Sequence, residues 1–111
     1  MLVLTFNPEE FNFVTAGESS YFLLRFSDGS IVLYNDTCAH RGGPLHLGHW
    51  DSEARCLVCP WHRTKYPEKA LRNRAIPLIQ RRNCVTAVLD ADPSTPVQLV
   101  KKNILAIATQ S

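Results

Sequence analysis

Apolar and aromatic residues along this chain fall in short runs broken by polar turn residues, the spacing of β-strands rather than of long helices. Tyr21-Phe22-Leu23-Leu24-Arg25-Phe26 is followed by Ser27-Asp28-Gly29-Ser30 and then Ile31-Val32-Leu33-Tyr34, a strand–turn–strand pattern with Asp-Gly as its turn dipeptide. Leu47-Gly48-His49-Trp50, the turn Asp51-Ser52-Glu53 and Arg55 to Val58 predict a second hairpin. Val97 to Val100, Lys101-Lys102-Asn103 and Ile104 to Ala108 predict a third. A further strand is expected over Val85 to Leu89 and a loop over Asp90 to Pro96, while Glu68 to Arg74 suits a short helical turn. No internal repeat or low-complexity tract interrupts this order. The expected class is all-β, a small antiparallel β-sandwich.

Composition narrows the picture without changing it. The 111 residues suit one domain, 1–111, with a core sufficient for folding and little beyond it. A formal net charge of +2 argues against nucleic acid as an obligatory partner. No segment approaches the apolar length that spans a bilayer, so no membrane role is expected. The start, Met1 to Pro8, has neither the basic region nor the sustained apolar run of a secretory leader, and a cytoplasmic location is the expectation.

The candidate chemistry lies in two short pairs, Cys38-Ala39-His40 and Cys59-Pro60-Trp61-His62. Two thiolates and two imidazoles suit an iron–sulfur cluster or zinc, and suit hard cations poorly. Zinc has an argument of its own in Cys56-Leu57-Val58-Cys59, which carries the two-residue gap of zinc knuckles. A strand over Cys56 to Val58 would, however, turn Cys56 and Cys59 to opposite faces. The flanking residues separate the two readings. His40 runs into Arg41-Gly42-Gly43-Pro44-Leu45, whose glycines permit close backbone approach and whose proline stiffens the exit. Cys59 is preceded by the apolar pair Leu57-Val58. This combination resembles the Rieske family, from about Ser20 to the end of the chain.

The resemblance implies a sandwich whose two loops, about 36–47 and 57–67, form a cluster-binding tip. It implies one [2Fe–2S] cluster, with Cys38 and Cys59 on one iron and His40 and His62 on the other. Gly43 and Trp61 stand where high-potential members carry a bridging cysteine pair, so the chain is similar to the soluble Rieske-type ferredoxins. The implied role is an electron-transfer protein without catalysis of its own, working from a reductase to an oxygenase or related redox enzyme. Alternatives are a non-catalytic small subunit of an oxidoreductase complex, a structural zinc module, or a redox or iron sensor.

Several residues carry further expectations. Arg41, Arg63 and Lys65 make the tip positive and suited to docking on an acidic partner. Arg63 follows the second histidine, where the family usually has glycine, and the stretch from Pro67 to Pro96 departs from the family pattern. Thr64 and Tyr66 place hydroxyls where high-potential members donate hydrogen bonds to sulfur. Cys56 and Cys84 read as core thiols. His46, His49 and Asp51 are ligand types of a non-haem iron site, but they fall in the connector between the loops and are expected to pack there or face solvent.

Overall fold

The computed structural model describes residues 1–36, 44–61, 63–104 and 106. Its architecture follows from which strands are covered on one face and which on two. Strand β1 (Leu2–Phe6) alternates strictly, with Leu2, Leu4 and Phe6 buried and Val3 and Thr5 exposed. Such period-two burial means one face packs and the other meets water. Strand β3 (Ser19–Arg25), by contrast, buries Phe22, Leu23 and Leu24 in succession. Successive side chains point to opposite faces, so β3 must be covered on both.

The sheet order supplies that cover. A central five-stranded antiparallel sheet runs β11 (Val97–Val100), β2 (Phe13–Ala16), β3, β4 (Ile31–Asn35), β8 (Ile76–Pro77). On one side lies a three-stranded sheet, β1–β10–β9, with β9 at Ile79–Arg81 and β10 at Cys84–Leu89. Between them Leu4, Phe6, Val14, Leu23, Leu33, Val85 and Leu89 form one buried cluster. On the other side Phe13, Phe22, Leu24 and Tyr34 pack with Leu57, Tyr66 and Leu71 in a second cluster. Leu57 and Tyr66 come from a small third sheet, β5 (His49–Asp51), β6 (Cys56–Val58) and β7 (Lys65–Pro67). Leu71 comes from the single α-helix, α1 (Glu68–Arg74). The fold is all-β with antiparallel pairing throughout, as the sequence predicts. Among the described residues no helix is long and apolar enough to cross a membrane.

The helix is short and held from outside. Glu68 sits in its first turn, Arg72 and Arg74 in its last, the arrangement that complements the helix dipole. Arg72 reaches Glu68 at 3.0 Å and Asp28 in the β3–β4 turn at 3.2 Å, and its guanidinium lies 4.0 Å from the centre of the Phe26 ring.

Two expectations need correction. Among the described residues the second strand of the third hairpin is not found, and β11 pairs instead with β2, from Val97 opposite Ala16 to Val100 opposite Phe13. Neither Ile104 nor Ala106 lies in a strand, and residues 105, 107 and 108 fall outside the described residues. The reason is a contact distant in sequence. The Asn12 side chain donates to the Lys102 carbonyl at 2.9 Å and accepts from its N–H at 2.8 Å, tying the segment after β11 to the entrance of β2. Cys84 is the second correction. It is exposed, at the outset of β10 on the face of the β1–β10–β9 sheet that nothing covers. Cys56 is buried as expected, and both thiols are free.

Candidate metal centre

Of the four candidate ligands, only Cys59 falls among the described residues; Cys38, His40 and His62 lie outside them, as do Arg41, Gly42 and Gly43. The structure does define how both loops are anchored.

The second loop leaves β6 and returns as β7 through a tight backbone closure. The Cys59 N–H donates to the Thr64 carbonyl at 2.9 Å, and the Arg63 N–H donates to the Cys59 carbonyl at 2.9 Å. Closing so short a loop requires a left-handed residue near its end, and Arg63 supplies it with φ +55. Glycine adopts this conformation at least cost, so arginine here holds the backbone region that the family's glycine would favour.

Cys59 itself is fully buried, packed in the cluster with Leu45, Leu57 and Tyr66. Both of its backbone polar groups are used in the closure, which leaves the thiol as its remaining functional group. Its sulfur is a soft donor of the kind that iron–sulfur and zinc centres take. The donor therefore fits a soft metal centre. Among the described residues, which include one of the four candidates, no three His, Cys, Asp or Glu side chains are placed to hold a metal.

The first loop is longer, and side chains hold its base. The Asp36 N–H donates to the Ser20 carbonyl at 2.8 Å, and the Leu45 N–H donates to the Asp36 carbonyl at 2.8 Å, so the chain leaves and re-enters at one point. Beneath this point one carboxylate oxygen of Asp36 accepts from the His46 backbone N–H at 2.8 Å and from ring Nδ1 at 2.7 Å. A carboxylate only accepts, so the imidazole carries its hydrogen on Nδ1. Both side chains are 11% exposed. The His46 ring stands edge-on to Phe13, centroids 5.2 Å apart, and its carbonyl accepts from the Ala106 N–H at 3.1 Å.

The connector next to this clamp is equally tight. At Gly48 an added Cβ would meet the Val58 carbonyl oxygen at 2.5 Å, so only glycine lets the connector lie on β6. Leu45 and Cys59 then share one buried cluster, which brings the anchors of the two loops together.

His46, His49 and Asp51 do not converge. His46 is the buried partner of Asp36, His49 is exposed, and Asp51 accepts the Glu53 and Ala54 N–H groups at 3.1 Å each in its own turn. Packing was expected for such a histidine; the partnership with Asp36 was not. The two residues stand ten apart at opposite ends of a loop, and no local motif links them. Around the second loop Trp61 is exposed, as are Arg63 and Lys65, whereas Tyr66 is buried and Thr64 half-buried. Burial pushes the Tyr34 phenol above its ordinary value of 10.0, with Arg74 opposing, so this member of the same cluster stays neutral.

Comparison with known proteins identifies the domain. The profile of the Rieske [2Fe–2S] domain matches residues 3–101, starting well before Ser20 and running through the stretch from Pro67 to Pro96. A human Rieske domain-containing protein is 60% identical over 30 residues, which cover 25% of this chain and 19% of that protein. The chain thus spans about a fifth of the relative it matches. No solved structure matches.

Proposed function

The chain belongs to the Rieske [2Fe–2S] domain family, and from that premise we propose a one-electron carrier that passes electrons from a reductase to an oxygenase or related redox enzyme. A Rieske domain binds a [2Fe–2S] cluster, which supplies a reversible one-electron couple. In the proposed assignment Cys38 and Cys59 give the thiolates and His40 and His62 the imidazoles. The observation that carries the reading is the second loop, where a fully buried, uncrosslinked Cys59 is followed two residues later by an exposed Trp61. This is a loop with its thiol turned into the protein and its tip turned outward. Exposed Arg63 and Lys65, with Arg41 from the first loop, give that tip positive charge for an acidic partner.

The reading is tested by reducing the purified protein and mixing it with an acidic or a basic one-electron acceptor across a salt series. Transfer should be faster to the acidic acceptor and should slow as salt screens the attraction, over a Debye length of about 10 Å at 0.1 M. Equal rates insensitive to salt would remove the docking proposal, and a protein that takes up no electron would remove the carrier.

A further inference from the structure

A second concave site lies at the far end of the molecule from the loops. Strand β4 runs from Ile31, at the wall of this cleft, to Asn35, just before the first loop. Five residues at about 3.4 Å each separate the two ends by roughly 14 Å. Three turns meet here: the bend after β1 at Asn7 and Pro8, the β3–β4 turn at Gly29, and the β9–β10 turn at Arg82 and Asn83. Together they enclose a cavity of about 430 Å³, within the range of small-molecule sites.

Its lining gathers two arginines and one carboxylate. Arg25 and Arg82 both line the cleft, and among the described residues neither guanidinium has a hydrogen bond or ion pair. Glu9 lines it too, but pairs with neither. The hollow beside α1 makes the contrast. There Arg55 and Arg72 are both tied to Glu68, at 2.7 and 3.0 Å. Arg25 and Arg82 lack such a carboxylate partner and line one cavity. The amides of Gln80 and Asn83 share that cavity and can donate to an acceptor. Arg82 is also held at φ +53, in the first position of a two-residue turn where glycine is usual.

We propose that this cleft binds a small organic anion, its carboxylate or phosphate group taken between Arg25 and Arg82. Guanidinium forks match such oxyanions in pairs of hydrogen bonds. The volume exceeds what a bare inorganic ion fills, so the ligand is of metabolite size, with Gln80 and Asn83 meeting its remaining polar atoms. The site is separate from the cluster loops and does not depend on what they hold.

The test uses the full chain with inorganic phosphate and with succinate, against sodium chloride at matched ionic strength. Backbone amide resonances of Gly29, Asn83 and Cys84 should shift saturably with phosphate or succinate and not with chloride. The tighter of the two identifies the oxyanion. Arg25→Gln and Arg82→Asn, the latter because asparagine tolerates a left-handed backbone, should each weaken binding at least tenfold. Shifts equal to those of chloride, or unchanged in both variants, overturn the proposal. A second measurement needs no arginine variant, because exposed Cys84 stands at the rim of the same cleft, within reach of its charge. An anionic methanethiosulfonate should label it faster than a cationic one, relative to the same pair on free mercaptoethanol, with Cys84→Ser as the blank. Equal relative rates, or faster cationic labelling, contradict an anion site.

Discussion

The two candidate ligand loops are closed by different means. The second spans Cys59 to Thr64 between adjacent strands and closes through its own backbone, with Arg63 in the left-handed region. The first leaves at Asp36 and returns at Leu45, too long to be shaped by one turn, and relies on a buried carboxylate and imidazole at its base. A short loop needs one unusual dihedral, whereas a long one needs partners from outside itself. Damage to the first should therefore cost more than damage to the second.

Asp36→Ala should have the largest effect. It strands two buried donors, the His46 N–H and ring Nδ1–H, at a cost of about 3 kcal/mol. Urea unfolding should show that loss, and the purified protein should retain less iron per chain. Asp36→Asn keeps an acceptor and should recover much of both. A variant Asp36→Ala as stable as the parent would mean that the clamp does not hold the first loop.

Arg63→Gly should act in the opposite direction and more weakly. Relieving a left-handed non-glycine residue gains about 1 kcal/mol, less the extra freedom glycine adds to the unfolded chain. A small gain or no change in unfolding midpoint is expected, with the spectrum intact. A marked loss would show that the Arg63 side chain, not only its backbone, supports the loop.

These contrasts bear on what the sequence could tell. The β3–β4 hairpin was legible because the Asp-Gly turn and its apolar flanks are local signals, and α1 because Pro67 precedes seven residues that suit a helical turn. The family was legible because the spacing of the paired Cys and His is chemical. What stayed hidden depends on distant partners. Strand β11 could be recognised as a strand, but its choice of β2 over Ile104 onward rests on Asn12, ninety residues from Lys102. Cys84 sits in an apolar alternation, and only the bare outer face of its sheet shows that it points outward. The Asp36–His46 clamp joins two residues that no periodicity connects.

Asp28 shows what a capping carboxylate contributes when it is exposed, at the opposite end of β4. It accepts from the Ser30 hydroxyl at 2.6 Å and the Ser30 N–H at 2.9 Å. These bonds, with Arg72 nearby, hold its carboxyl below the ordinary value of 3.8. Because the folded value is the lower one, the stabilisation is present above pH 3.8 and is lost as the pH falls below it through the folded value. Asp28→Asn should flatten that part of the acid limb of the stability curve by lowering stability slightly at neutral pH, where the ionised carboxylate contributes. An acid limb identical to the parent's would show that the bonds contribute nothing measurable.

The central claim is the ligand set, and two neighbouring buried thiols test it most directly. Cys56 and Cys59 are both free and almost completely inaccessible, yet only Cys59 is assigned to the cluster. Iron and sulfide content, the visible spectrum and the paramagnetic resonance of the reduced protein should be measured for Cys56→Ser and Cys59→Ser side by side. The account predicts two irons and two sulfides per chain, as one [2Fe–2S] cluster requires, with an unaltered spectrum in the first variant and loss or gross change in the second. A Cys56→Ser protein that bleaches while Cys59→Ser keeps its colour would contradict it.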